Sequence, residues 1–89
     1  MTAEPTLDDA TTPYRRRIAA IWSAALGIEV TAADHDFFAA GGDSFQAVLA
    51  TASVRREWGV DVPAQLLLDH PVLADFAAHV ARLADERAR

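Results

Sequence analysis

The sequence contains no cysteine, and this absence excludes several kinds of small protein at once. A disulfide framework, a thiolate metal site and a cysteine nucleophile all require that residue. Basic residues are also few, with 8 against 13 acidic ones and a formal net charge of -5. Nucleic acids and anionic membranes both demand a cationic surface, so we expect neither as a partner. The chain must fold by packing alone, and its charge favours basic partners.

Long hydrophobic runs are lacking too, since no apolar stretch approaches the length of a membrane span. The acidic, polar start MTAEPTLDD has neither the basic nor the apolar region of a secretion signal. We therefore expect a cytoplasmic protein that does not bind membranes. The 89 residues leave room for one domain, and the 52% that are hydrophobic suffice for a modest core.

Apolar residues recur at helical spacing and predict an all-α fold, a small four-helix bundle with three main helices and one short helix. Thr12 and Pro13 suit the N-cap and first position of the first helix, and Gly27 and Gly59 suit C-terminal stops. The expected helices run from Pro13 to Leu26, from Asp43 or Ser44 to Trp58, over residues 64–68, and from Pro71 to Leu83. We place the folded domain at residues 13–84, between a flexible tail at 1–12 and a frayed end at 85–89.

The second predicted helix carries two apolar stripes, although one helix in a small domain rarely buries both. The first stripe consists of Ala47, Ala50, Thr51, Val54 and Trp58. The second consists of Phe45, Val48, Leu49 and Ala52. Before this helix lies a 17-residue stretch from Gly27 to Asp43 with scattered apolar anchors, which is typical of an ordered, functional loop. A site is expected near the end of that loop.

The loop and the start of the second helix share one motif, FFAAGGDSFQA, at residues 37–47. Its paired phenylalanines, paired glycines and helix-opening serine resemble the phosphopantetheine-attachment sequence of carrier proteins. The resemblance is closest to the peptidyl carrier proteins, or thiolation domains, of nonribosomal peptide synthesis. Residues 59–63 and 69–72 resemble later segments of the same family. The likeness covers about residues 13–83, nearly the whole folded part, and implies the acyl-carrier-protein type of bundle.

The resemblance implies that Ser44 is the covalent attachment site of 4'-phosphopantetheine, which a phosphopantetheinyl transferase takes from coenzyme A. Asp43 would help to place the magnesium ion that the transferase uses, or the cofactor. Gly41 and Gly42 would let the modifying enzyme approach closely. A serine hydroxyl needs a base to become a nucleophile, and the sequence offers no GxSxG elbow or recognisable triad. We therefore expect no catalytic residue in the chain itself. We also expect no metal site, because no second histidine or cysteine stands at ligand spacing from His35.

A carrier of this family holds aminoacyl or peptidyl groups as thioesters and presents them to partner enzymes. The resemblance implies an adenylation enzyme or domain for loading, and condensation, tailoring or thioesterase enzymes for processing. It also assigns the first stripe to the core and leaves Phe45, Val48, Leu49 and Ala52 as a hydrophobic docking strip. We expect a free-standing monomer that meets these enzymes by diffusion.

Two other functions stay open at this point. The chain could be an acyl carrier protein for polyketide or fatty-acid intermediates, which keeps the attachment chemistry and changes the cargo. It could also be a helical interaction module in which Ser44 is only an N-cap and the second helix presents both faces to partners. The histidines at positions 35, 70 and 79 receive no chemical role.

Overall fold

Four α-helices make up the computed structural model, which describes residues 11–88. They are α1 (Thr12–Leu26), α2 (Ser44–Trp58), α3 (Ala64–Asp69) and α4 (Leu73–Arg87). The expected all-α bundle of three main helices and one short helix is confirmed. The bounds of α2 and the end of α1 agree with the prediction, whereas α1 starts at Thr12, one residue earlier than predicted. Both of these helices end at a left-handed glycine, Gly27 with φ 73° and Gly59 with φ 68°. No helix in residues 11–88 is both long enough and apolar enough to span a membrane.

The core joins three parts of the chain around one indole ring. Trp22 of α1 is fully buried, and its ring centroid lies 5.1 Å from that of Phe37 in the long loop and 5.8 Å from that of Phe76 in α4. Helix α2 adds smaller buried side chains, including Ala47 and Val54. The loop is therefore part of the core and does not lie loosely over the bundle.

The start of α4 differs from the prediction, because Pro71 is not its first helical residue. The helix begins at Leu73 with Val72 as its N-cap. Pairing with the long loop holds this segment extended: the Phe37 amide donates to the Pro71 carbonyl over 2.8 Å, and the Leu73 amide donates to the His35 carbonyl over 2.9 Å. A tertiary contact thus delays the helix beyond the position that proline favours locally.

The chain ends also differ from the prediction. Helix α4 continues to Arg87, although residues 85–89 were predicted to fray, and the Arg87 guanidinium donates to the Gly59 carbonyl at the end of α2. At the other end, Thr11 is the N-cap of α1, and Thr12 is a buried helical residue, not part of a tail. The rest of the predicted tail, residues 1–10, lies outside the described residues.

Candidate functional site

The start of α2 is held by a reciprocal capping box. The Asp43 Oδ1 accepts a hydrogen bond from the Gln46 amide over 2.8 Å, and the Asp43 amide donates to the Gln46 Oε1 over 3.0 Å. The Asp43 carbonyl accepts the first helical bond from the Ala47 amide over 2.9 Å. Three polar groups of Asp43 are therefore occupied in ending the loop and opening the helix.

Ser44 follows this cap as the first residue of α2, and its side chain is exposed. Within residues 11–88, neither its hydroxyl nor the backbone amides of Ser44 and Phe45 have a hydrogen-bond partner. Unpaired amides at a helix N-terminus, together with the helix dipole, favour a negative group at this point. The site fits a phosphodiester on the serine oxygen, and it holds no base positioned to take the hydroxyl proton.

The two glycines before the cap serve different structural purposes. Gly41 has φ 105°, a conformation that strains other residues, and a Cβ added there would meet open space. Gly42 has no such angle, but a Cβ there would lie 2.5 Å from the Phe37 ring and 2.7 Å from the Phe37 carbonyl oxygen. Gly42 is therefore required by packing against Phe37, and Gly41 by the turn itself.

Gln46 is a site residue that the sequence analysis did not identify. Besides completing the capping box, its Nε2 donates to the Ala25 carbonyl over 3.3 Å, at the last turn of α1. This one side chain therefore ties the start of α2 to the end of α1. The sequence contains a signal for this role of Gln46, because a capping residue followed three positions later by glutamine is typical of a capping box.

The docking strip is the most exposed apolar part of α2. Phe45 is 69% exposed, Val48 52% and Leu49 46%, whereas Ala52 is only partly exposed. Ala47, Ala50, Thr51 and Val54 of the other stripe are buried. Trp58 is partly buried, with its ring centroid 5.0 Å from that of Tyr14 on α1. The structure therefore separates the two stripes as predicted, and three large apolar side chains in the first two turns of α2 are exposed to solvent.

The family with the description "Phosphopantetheine attachment site" matches residues 16–80. The chain belongs to this phosphopantetheine-attachment family. Its prosthetic group is accordingly the covalently bound phosphopantetheine of that family, in agreement with the prediction and with the fit of a phosphodiester at the start of α2.

Individual members of the family support the carrier assignment. The chain is 42% identical over 69 residues to phosphinothricin tripeptide synthetase PhsB of Streptomyces viridochromogenes; the match covers 78% of the chain but 6% of that synthetase. It also resembles BlmI, a type-II acyl-carrier-protein from Streptomyces verticillus involved in bleomycin biosynthesis. That match has a TM-score of 0.76 and 30% identity, and covers 81% of this chain and 87% of BlmI.

A third similar chain comes from the structure of the phosphopantetheine transferase Sfp in complex with coenzyme A and a peptidyl carrier protein. It has a TM-score of 0.74 and 29% identity, and the match covers 84% of this chain and 94% of that chain. The predicted membership of the carrier-protein family and the predicted carrier fold are both confirmed. This phosphopantetheine-attachment domain is a carrier of the kind found in peptide synthetases.

Replacing Asp43 separates its capping role from its charge. Asp43→Ala removes the acceptor for the Gln46 amide and should lower the free energy of unfolding by about 1 kcal/mol. Asp43→Asn keeps an acceptor oxygen and should retain most of that stability. Urea denaturation measures both, with Asp61→Ala, at an exposed aspartate outside the helices, as the control. Equal losses for the alanine and asparagine variants would show that the charge, and not the cap, stabilises the site.

Proposed function

We propose that Ser44 carries the phosphopantetheine arm and that the chain presents aminoacyl or peptidyl groups on it in nonribosomal peptide or related natural-product biosynthesis. The observation that carries the proposal is the position of Ser44: an exposed hydroxyl on the first residue of α2, beside two unpaired backbone amides. A phosphodiester formed there gains the helix N-terminus as a partner. The thiol at the end of the arm supplies the thioester chemistry.

The residues around Ser44 fix the start of the helix and leave activation of the hydroxyl to another protein. Asp43 and Gln46 occupy each other's hydrogen-bonding groups and so keep the helix start rigid. In the transfer, the Ser44 oxygen forms the new bond to phosphorus while the bond from that phosphorus to the rest of coenzyme A breaks. The transferase must take the hydroxyl proton, because no base of residues 11–88 contacts it. The chain is thus a substrate of the phosphopantetheinyl transferase and not an enzyme.

The proposed partners follow from the same surface. The docking strip adjoins the attachment point, so an enzyme that reaches the arm also contacts Phe45 and Val48. We include in this proposal a phosphopantetheinyl transferase, an adenylation enzyme or domain, and condensation, tailoring or thioesterase enzymes. Weak, transient contacts with a small apolar patch suit a monomeric carrier that visits several enzymes in the cytoplasm.

The test is the intact mass after incubation with coenzyme A, Mg²⁺ and a broad-specificity phosphopantetheinyl transferase. Wild type should gain the mass of one phosphopantetheine, and Ser44→Ala should gain none. Ser53→Ala provides the matched control, because it removes another serine of the same helix and should be modified like wild type. Modification of Ser44→Ala, or none of wild type, would contradict the proposal, and the second result would favour the interaction module.

The cargo is tested on the modified protein. Loading with amino acids by adenylation enzymes is expected. Transfer of acyl groups from acyl-coenzyme A donors, without any loading of amino acids, would favour the acyl-carrier alternative. The similarity to BlmI, a type-II acyl-carrier-protein, supports that alternative.

A further inference from the structure

Three potential metal ligands meet where α3 ends and α4 begins, within the described residues. His70 is the C-cap of α3, Asp75 lies in the first turn of α4, and His79 lies one turn further along. The His70 Nδ1 is 2.8 Å from the Asp75 Oδ2, and the His79 Nε2 is 3.7 Å from the Asp75 Oδ1. One ligand atom from each residue can be chosen so that all three lie within 4.8 Å of one another. We propose that these residues form a binding site for a divalent transition-metal cation of the Zn²⁺ class.

The separations suit a small cation. Zn²⁺ binds imidazole nitrogen and carboxylate oxygen at about 2.0–2.2 Å, so two ligands of a tetrahedral site lie roughly 3.3 Å apart. The two measured separations, 2.8 and 3.7 Å, lie on either side of that value. Closing the site requires rotation of the two imidazoles, whose ring centroids lie 3.9 Å apart. Two imidazoles with one carboxylate favour Zn²⁺ and similar metals over Mg²⁺ and Ca²⁺, which prefer oxygen ligands.

The backbone around the cluster is fixed, while its side chains can be reached from solvent. The His70 amide donates to the Leu66 carbonyl over 2.9 Å, and the Phe76 amide donates to the Val72 carbonyl over 2.9 Å. Asp75 and His79 are four residues apart on α4 and so share one face. The side chains are 32% exposed at His70, 53% at Asp75 and 21% at His79. A cation can therefore enter, and water can complete its coordination.

Arg82 is the group that opposes metal binding. Its guanidinium lies 2.7 Å from the His79 Nδ1, and since arginine only donates, the metal-free imidazole carries its proton on Nε2. Binding through Nε2 requires that proton to move to Nδ1 and the exposed Arg82 to swing away. Burial lowers the pKa of His79 most, and the nearby His70 and Arg82 lower it further, whereas Asp75 acts to raise it. The lowered pKa favours the neutral imidazole, which is the form that binds metals.

Calorimetric titration of the full, untagged chain with ZnCl₂ in a non-coordinating buffer tests the site. Wild type should bind one equivalent, and His79→Gln and Asp75→Asn should each weaken binding by about tenfold or more. Arg82→Gln should tighten it. His35→Gln is the matched control, because it removes the one histidine outside the cluster and should leave binding unchanged. MgCl₂ should produce no binding heat.

Histidine-ring NMR of wild type gives a second readout that does not depend on any variant folding. Addition of Zn²⁺ should shift the ring signals of His70 and His79 and leave those of His35 unchanged. No binding by wild type, unchanged affinity in His79→Gln, or an equal loss in His35→Gln would overturn the proposal, as would ring shifts confined to His35.

Discussion

Replacing Phe37 with alanine is expected to lower the free energy of unfolding by about 3–5 kcal/mol. The Phe37 side chain is fully buried, and its ring packs edge-on against that of Trp22, with centroids 5.1 Å apart. No other part of the long loop contributes so large a buried side chain. Its removal leaves a cavity at the centre of the core, which the surrounding helices can fill only by shifting.

The matched control is the adjacent phenylalanine. Phe38 is only partly buried, although its ring centroid lies 5.2 Å from that of Phe37, so Phe38→Ala should cost clearly less. Guanidinium denaturation of both variants gives the comparison. Similar losses of unfolding free energy at the two positions would mean that the Phe38 ring is buried in the core as fully as the Phe37 ring.

The Phe37 substitution should also reach the attachment site. The Phe37 carbonyl accepts a hydrogen bond from the Gly42 amide over 3.0 Å, and its ring occupies the space where a Cβ of Gly42 would lie. Modification by the transferase should therefore slow in Phe37→Ala even at temperatures where the variant is folded. The loop and Ser44 are coupled through this packing.

Local signals in the sequence predicted both bounds of α2 and the end of α1, and they placed the start of α1 one residue too late. Gly27 and Gly59 each end a helix in the left-handed conformation, which other residues adopt at a cost, so the stop depends on one residue. The start of α4 could not be predicted in this way. Pro71 favours a helix start, but the segment is held extended by the loop around Asp36, far away in sequence. Tertiary pairing prevailed over local propensity.

The candidate site shows the same division. Ser44 and its cap Asp43 follow from a contiguous motif, and Gln46 could have been identified from its spacing to Asp43. The reason for Gly42 was not accessible, because the Phe37 ring approaches it through the fold of the loop. Likewise, His70 and Asp75 meet across the junction between α3 and α4, whose extended path is set by pairing with the long loop.

The docking strip predicts a separation between stability and partner recognition that two valines of α2 can test. Val48 is 52% exposed and Val54 is fully buried, so the same substitution by alanine removes the same atoms from an exposed and from a buried position of one helix. Val54→Ala should lower the free energy of unfolding by about 2 kcal/mol. Val48→Ala should change it by less than about 0.5 kcal/mol. Thermal and urea denaturation of the two variants provide the measurement.

Recognition by partner enzymes should depend on the exposed stripe and not on the buried one, and the largest effect is expected at Phe45. This side chain is 69% exposed beside Ser44, and exposed aromatics that become buried at an interface often contribute about 2 kcal/mol or more, a factor of about 30. Phe45→Ala should therefore reduce the kcat/KM of the transferase or of an adenylation partner by tenfold or more, while folding stays close to wild type. Val54→Ala, assayed where it is folded, should keep nearly normal kcat/KM. If Phe45→Ala instead destabilised the fold as Val54→Ala does, the exposed stripe would be part of the core, and the partners would have to recognise another face.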